Sequence, residues 1–293
     1  MTIFTQLLVN GLIAGAIYAL VAAGFSLIYA VCKFVHFAHG AVIAFSAYFL
    51  YFLFSMLGLN FVFSVIFTII FASLLGLLVN QVVYKQLRKR KASKVILLIA
   101  GFALLILFES LILLLFGADV KTIGYLKIAK GLEVLGAIIT PLQIVIILSS
   151  FVLLFLLFFF MKKTKMGKAM RAVADNKEVA EIVGISSEKI YNWSFIIGSA
   201  IAGVAAILVG LEQNLEPVMG TSLMIKGFTA AIIGGIGLVP GAILGSYLLG
   251  FAENFGIWYL PSGYKDAIAF IILFIFLLFR PQGILGIKKG MQK

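Results

Sequence analysis

Eight runs of apolar residues, at 5–31, 39–58, 60–83, 95–116, 142–161, 191–211, 223–260 and 264–279, carry almost no charge. An α-helix needs about 20 such residues to cross roughly 30 Å of hydrocarbon. The run 223–260 is long enough for two passes, so eight or nine spans are expected. Composition agrees, since 63% of the 293 residues are hydrophobic and only 12% are charged. A soluble domain carries about 25% charged residues. So little charge cannot cover a surface that faces water, and the chain is an integral membrane protein. The runs are continuous rather than alternating, which excludes a membrane β-barrel. The first run has no basic stretch before it and no small-residue cleavage site after it, so it reads as a retained span. The expected fold is an all-α polytopic helix bundle, one transmembrane domain over residues 1–293.

The formal net charge is +12, yet its placement speaks for topology rather than nucleic acid. Six basic residues and no acid occupy 84–94, seven basic residues and four acids occupy 162–190, and the tail from Arg280 holds four more. Those three segments hold 17 of the 23 Lys and Arg residues. The loops 117–141, 212–222 and 260–266 carry Asp119, Glu133, Glu212, Glu216 and Asp266. Positive charge stays on the cytoplasmic side of a membrane. Nine spans with the N-terminus outside and the C-terminus inside place all three basic segments in the cytoplasm.

Cys32, His36 and His39 are all the Cys and His that the chain holds. Their i, i+4, i+7 spacing would line one face of a continuous helix. A structural zinc site needs four ligands and a catalytic one three with water. The stretch falls at the junction of the first two spans, and Gly40 with Phe34 and Phe37 fits a bend there. A structural break is the better reading, with no metal expected. One cysteine excludes an internal disulfide framework.

Between two spans lies a polar stretch with helical periodicity, Met166, Met170 and Val173, then Val179, Ile182 and Val183. Asp175 is placed to cap a second helix, with Glu178 at the capping-box position. Gly184 suits the left-handed position that ends it. Ser186 can cap the next span, and Glu188 then lies in its first turn, where negative charge is favoured. The expectation is a helical hairpin displayed on the cytoplasmic face within 162–190.

Further on, "IIGGIGLVPGAILG" crowds Gly234, Gly235, Gly237, Pro240 and Gly241 into an apolar span. Pro240 removes a donor and biases Val239 away from the α region. Such a break survives in a membrane only where its backbone is buried in protein or faces water. A tight turn with Gly241 and Gly245 in close helix contact is one reading. A translocation path is the other, and both can hold. In the second, amides of the helix restarting at Pro240 meet a carboxylate, carbonyls near Gly234 and Gly235 meet an ammonium, and His39 adds a neutral hydrogen bond. Glu109 and Glu253 are ionisable groups inside spans and so are functional candidates. The sequon at Asn192 falls at a cytoplasmic span end and is discounted. No G-x-x-x-x-G-K-[ST] occurs, so ATP cannot be bound here by a P-loop. No cofactor is expected, and nothing in the chain resembles a catalytic site.

Three stretches, "GLIAGAIYALVAAGFSLIYAVCKFVHFAHGAVIAFSAY", "MGKAMRAVADNKEVAEIVGISSEKIYNWSFIIGSAIAGVAAILVG" and "GFTAAIIGGIGLVPGAILGSYLLGFAENF", resemble the LivH-type permeases of branched-chain amino-acid ABC importers. Where that family usually has Asn before "FAHG", this chain has His36. The resemblance implies an ABC importer permease in a bacterial inner membrane. It implies a second permease of similar fold, two cytoplasmic ATP-binding subunits and an extracytoplasmic binding protein as partners. It makes 166–184 the coupling helix region, with Met170, Arg171, Asp175, Glu178, Ala180 and Gly184 as coupling candidates. His39, Gly40, Glu109, Gly234, Gly235, Gly237, Pro240 and Gly241 are the path candidates. A permease for amides or urea, and a gradient-driven transporter or channel, are the alternatives; a membrane enzyme lacks the residues for chemistry.

Overall fold

The computed structural model of the chain describes residues 2–125, 131–134 and 136–286. The expected cytoplasmic tail lies partly outside them, at Lys288, Lys289 and Lys293. The first helix, α1 (Thr2–Cys32), ends where Lys33 turns left-handed at φ 57°. After a short connection, α2 (Ala38–Tyr51) runs on through a wider π-helical turn to Met56. Asn60 then caps α3 (Phe61–Val79), which continues through another π-helical turn into α4 (Lys85–Lys89). Ser93 caps α5 (Lys94–Phe116). A small antiparallel hairpin, β1 (Leu132–Val134) and β2 (Ala137–Ile139), precedes α6 (Pro141–Lys163). Thr140 and Gln143 form a reciprocal capping box at the start of α6, with Pro141 in its first turn, where a missing amide costs nothing.

Next come α7 (Lys165–Asp175), α8 (Lys177–Ile182) and the long α9 (Ser187–Glu212). The broken pair α10 (Met219–Gly234) and α11 (Val239–Gly256) follows, and α12 (Lys265–Phe279) closes the bundle. Among the described residues seven helices are long and apolar enough to cross a membrane, or eight if α10 and α11, bent by 114°, make one span. Eight or nine were expected, and the count falls at or below the lower figure because α10 has 16 residues, which at 1.5 Å each reach about 24 Å, short of the hydrocarbon core. With α10 and α11 as a re-entrant pair, the seven remaining helices are an odd number, which leaves the two termini on opposite sides.

In lipid, helices associate through close van der Waals packing, which small residues permit. The α1 helix is the centre of the bundle, packed by α9, α10 and α11. At Gly15 an added Cβ would lie 2.7 Å from the Tyr247 ring of α11, and at Gly203 it would lie 2.7 Å from the Ala72 Cβ of α3. By contrast α3, α5, α6 and α12 turn Leu74, Ile106, Phe151 and Phe274 outward. These are surfaces suited to lipid chains.

The hairpin of α7 and α8 forms as the periodicity requires, with Met170 and Val173 buried. Its cap differs from expectation. Asp175 remains the last residue of α7, and Asn176 caps α8 by accepting from the amides of Glu178 and Val179 at 3.0 and 3.1 Å. The extended backbone that a cap needs, φ −144° and ψ 110°, falls one residue later than predicted. Gly184 does take the left-handed position, at φ +86°. The amides of Gly184 and Ile185 donate to the carbonyls of Glu181 and Ala180, the paired bonds of a Schellman stop. Ser186 sits at the start of α9 without a capping bond from its side chain.

Candidate functional site

The break between α10 and α11 is built from backbone in contact with backbone. Gly235 takes φ +116° and Gly237 φ +85°, conformations that a side chain would strain. A Cβ on Gly234 would fall onto the carbonyl of Gly241. The α11 helix starts at Val239, with Pro240 in its first turn, rather than at Pro240 itself. Carbonyls freed by the break are occupied. Those of Ile233 and Gly234 accept from the amides of Ile284 and Leu285 at 2.8 and 3.0 Å. The C-terminal segment thus closes the end of α10, and those two acceptors are taken up by the chain itself.

His39 and Gly40 stand at the other end of α10. Gly40 lies against Gly220 and Met224, and His39 against Gly24 of α1. The break instead meets Tyr29 and Ala30 through Gly237. The FAHG segment and the Gly-rich break are therefore two places, not one. His36 is buried, and its Nδ1 lies 2.9 Å from the Tyr84 hydroxyl while its ring packs on Phe195. The i, i+4, i+7 face never forms, because the helix ends at Cys32. Among the described residues no three Cys, His, Asp or Glu side chains converge as a metal site. Glu109 pairs across helices, accepting from the Thr221 hydroxyl of α10.

On the hairpin side, Met170 and Ala180 are interior, whereas Val179, Ile182 and Val183 are exposed. Arg171 donates to the carbonyl of Met161, tying α7 to the end of α6. Burial pushes the pKa of the Lys33 ammonium down, Asp175 opposing the fall and Lys94 adding to it. Asp175 thus acts on the end of α1, although it caps nothing.

One constellation was missed from sequence. Lys226, inside α10, lies 3.1 Å from Asp266 Oδ1 of α12 and 3.9 Å from Glu253 Oε2 of α11. The Tyr18 hydroxyl of α1 donates to the same Glu253 oxygen at 2.8 Å. Four helices meet at these charges. The signal was present in "LMIKGF", a lysine in an apolar helix, since charge there is expensive and needs partners. Its partner was not legible, because Glu253 and Asp266 arrive from separate helices.

A sequence profile for the branched-chain amino acid transport system permease component matches residues 7–277. The chain belongs to this family. The permease is 36% identical over 296 residues to BraD of Pseudomonas aeruginosa, a high-affinity branched-chain amino acid transport system permease protein, covering 97% of this chain and 96% of that one. It is 32% identical to LivH of Escherichia coli, a high-affinity branched-chain amino acid transport system permease protein, over the same shares of the two chains. The solved structure of PsaBC from Streptococcus pneumoniae in complex with Fab superposes with a TM-score of 0.52 over 93% of the permease and 91% of that chain, at 14% identity. The last likeness is one of fold alone.

Proposed function

We propose that the permease is the membrane-spanning subunit of an ATP-driven importer for branched-chain or related amino acids. ATP hydrolysis then belongs to two cytoplasmic subunits, capture of substrate to an extracytoplasmic binding protein, and a second permease of similar fold completes the path. The N-terminus lies outside and the C-terminus in the cytoplasm, in keeping with the three basic segments.

The observation that carries this reading is the α7–α8 hairpin. Its inner side is packed and both of its ends are capped, yet Val179, Ile182 and Val183 stay exposed at 55, 84 and 69%. An apolar patch on a folded polar connector marks a surface that another protein covers. ATP closes the ATPase dimer, the hairpin moves with it, and α9 carries the motion into the bundle. Ile182→Asp tests the assignment, because Ile182 makes no buried contact that folding needs. The variant is expected to insert and fold as wild type while failing to co-purify with its ATPase. Wild-type co-purification would overturn the docking role.

A gradient-driven carrier is the reading that the Lys226–Glu253–Asp266 cluster favours, since such carriers place ionisable groups in the membrane. It requires uptake without ATP.

A further inference from the structure

We propose that the crevice between α1 and α10 is a subsite for a zwitterionic α-amino acid with an aliphatic side chain, and that Lys226 receives its carboxylate. The substrate class rests on the functional reading above. The place rests on geometry.

The crevice encloses about 290 Å³, at the small end of pockets that hold small molecules. Ile17 and Tyr18 line it from α1. Met219, Ser222, Leu223 and Lys226 line it from α10, and their i, i+3, i+4, i+7 spacing makes them one helix face. Glu216 and Asn214 stand on the connection that enters α10. The lining therefore carries one ammonium, one carboxylate and an apolar wall. A zwitterion with an aliphatic side chain presents the matching set: carboxylate to Lys226, ammonium to Glu216, hydrocarbon to Ile17, Met219 and Leu223.

The surroundings of Lys226 argue that it does more than hold helices together. Its side chain is 14% exposed and faces the crevice, while two carboxylates approach from α11 and α12. An ammonium has three donors, and of the two carboxylates only that of Asp266 lies within hydrogen-bond distance, Glu253 being 3.9 Å away, so donors are left for a ligand. Glu253 is fully buried, and its Oε1 has no hydrogen-bond partner among the described residues. Tyr18 and Glu253 are positioning residues in this arrangement. Compensation by acids also limits how tightly a carboxylate is held. Transport needs a site favourable enough to enter and weak enough to leave, and a cation already paired provides that exchange.

The test uses Ser222→Cys in a Cys32→Ser background, in the assembled complex in vesicles, reacted with a membrane-impermeant maleimide. Asn214→Cys at the rim serves if the first variant does not assemble. Leucine at millimolar concentration is expected to slow labelling several-fold. Isocaproate, which lacks the ammonium, and isoamylamine, which lacks the carboxylate, are expected not to. Lys226→Met should remove the protection and lower uptake by about tenfold or more, the factor that a charged hydrogen bond contributes. Protection that survives Lys226→Met overturns the subsite. So does its absence in a complex that takes up leucine, and the transport function then still stands. A complex that takes up a different amino acid, which itself protects the cysteine, upholds the subsite and overturns the branched-chain assignment.

Discussion

Arg88 grips Glu188 with two donors, Nε to Oε1 at 3.2 Å and Nη2 to Oε2 at 3.1 Å. The same guanidinium donates to Asn80 Oδ1 at 3.0 Å and lies 4.7 Å from the Tyr191 ring. Asn80 in turn donates to Asn192 at 2.8 Å. The base of α9, directly after the hairpin, is thereby fixed to α4 and the end of α3. In the proposed coupling role, this connection is the route by which a push on the hairpin would reach a second span.

Arg88→Ala should destabilise the purified permease by about 1 kcal/mol, less than a buried charged hydrogen bond is worth because Glu188 is half-exposed. Arg88→Lys keeps the charge but not the planar fork, so it should lose part of that. A double-mutant cycle with Glu188→Ala, read by thermal unfolding in detergent, should return a coupling near the single-variant loss. Additive losses would show that the pair is not coupled.

Asn176→Ala should cost α8 about 1 kcal/mol, the usual worth of a cap. Asp175→Ala should leave α8 intact. Hydrogen exchange over 177–183 measures the difference, with faster exchange expected only in the Asn176 variant. Equal acceleration in both would return the cap to Asp175.

Gly234→Ala forces a methyl group against the Gly241 carbonyl, with backbone on both sides and no side chain to yield. Assembled protein and transport should fall together. Gly58→Ala is the control: its φ is +68° with nothing within 4 Å of the added carbon, so it should cost only about 1 kcal/mol of local strain. A Gly234→Ala protein that assembles in full but transports poorly would contradict a packing role at this contact.

Much of this architecture was legible because membrane solvent leaves few choices. Apolar runs had to be helices, and the apolar periodicity within the polar stretch 166–183 read as a helical hairpin with Gly184 as its stop. The errors came where one residue or one tertiary contact decides. Asp175 and Asn176 both cap well, and only the backbone selects between them. The carbonyls near Gly234 and Gly235 looked free because the donors at this end of α10 include Ile284 and Leu285, some 50 residues later. The partners of Lys226 were hidden for the same reason: ion pairs among α10, α11 and α12 leave no spacing in the sequence.

On the proposed function, ATP hydrolysed by partner subunits moves amino acids through this permease. Vesicles carrying the permease with its partner permease and ATPases, supplied with binding protein and radiolabelled leucine, test it directly. Uptake should require ATP inside the cytoplasm-equivalent compartment and persist when proton and sodium gradients are collapsed by ionophores. Uptake that continues without ATP and stops with the ionophores would contradict the account.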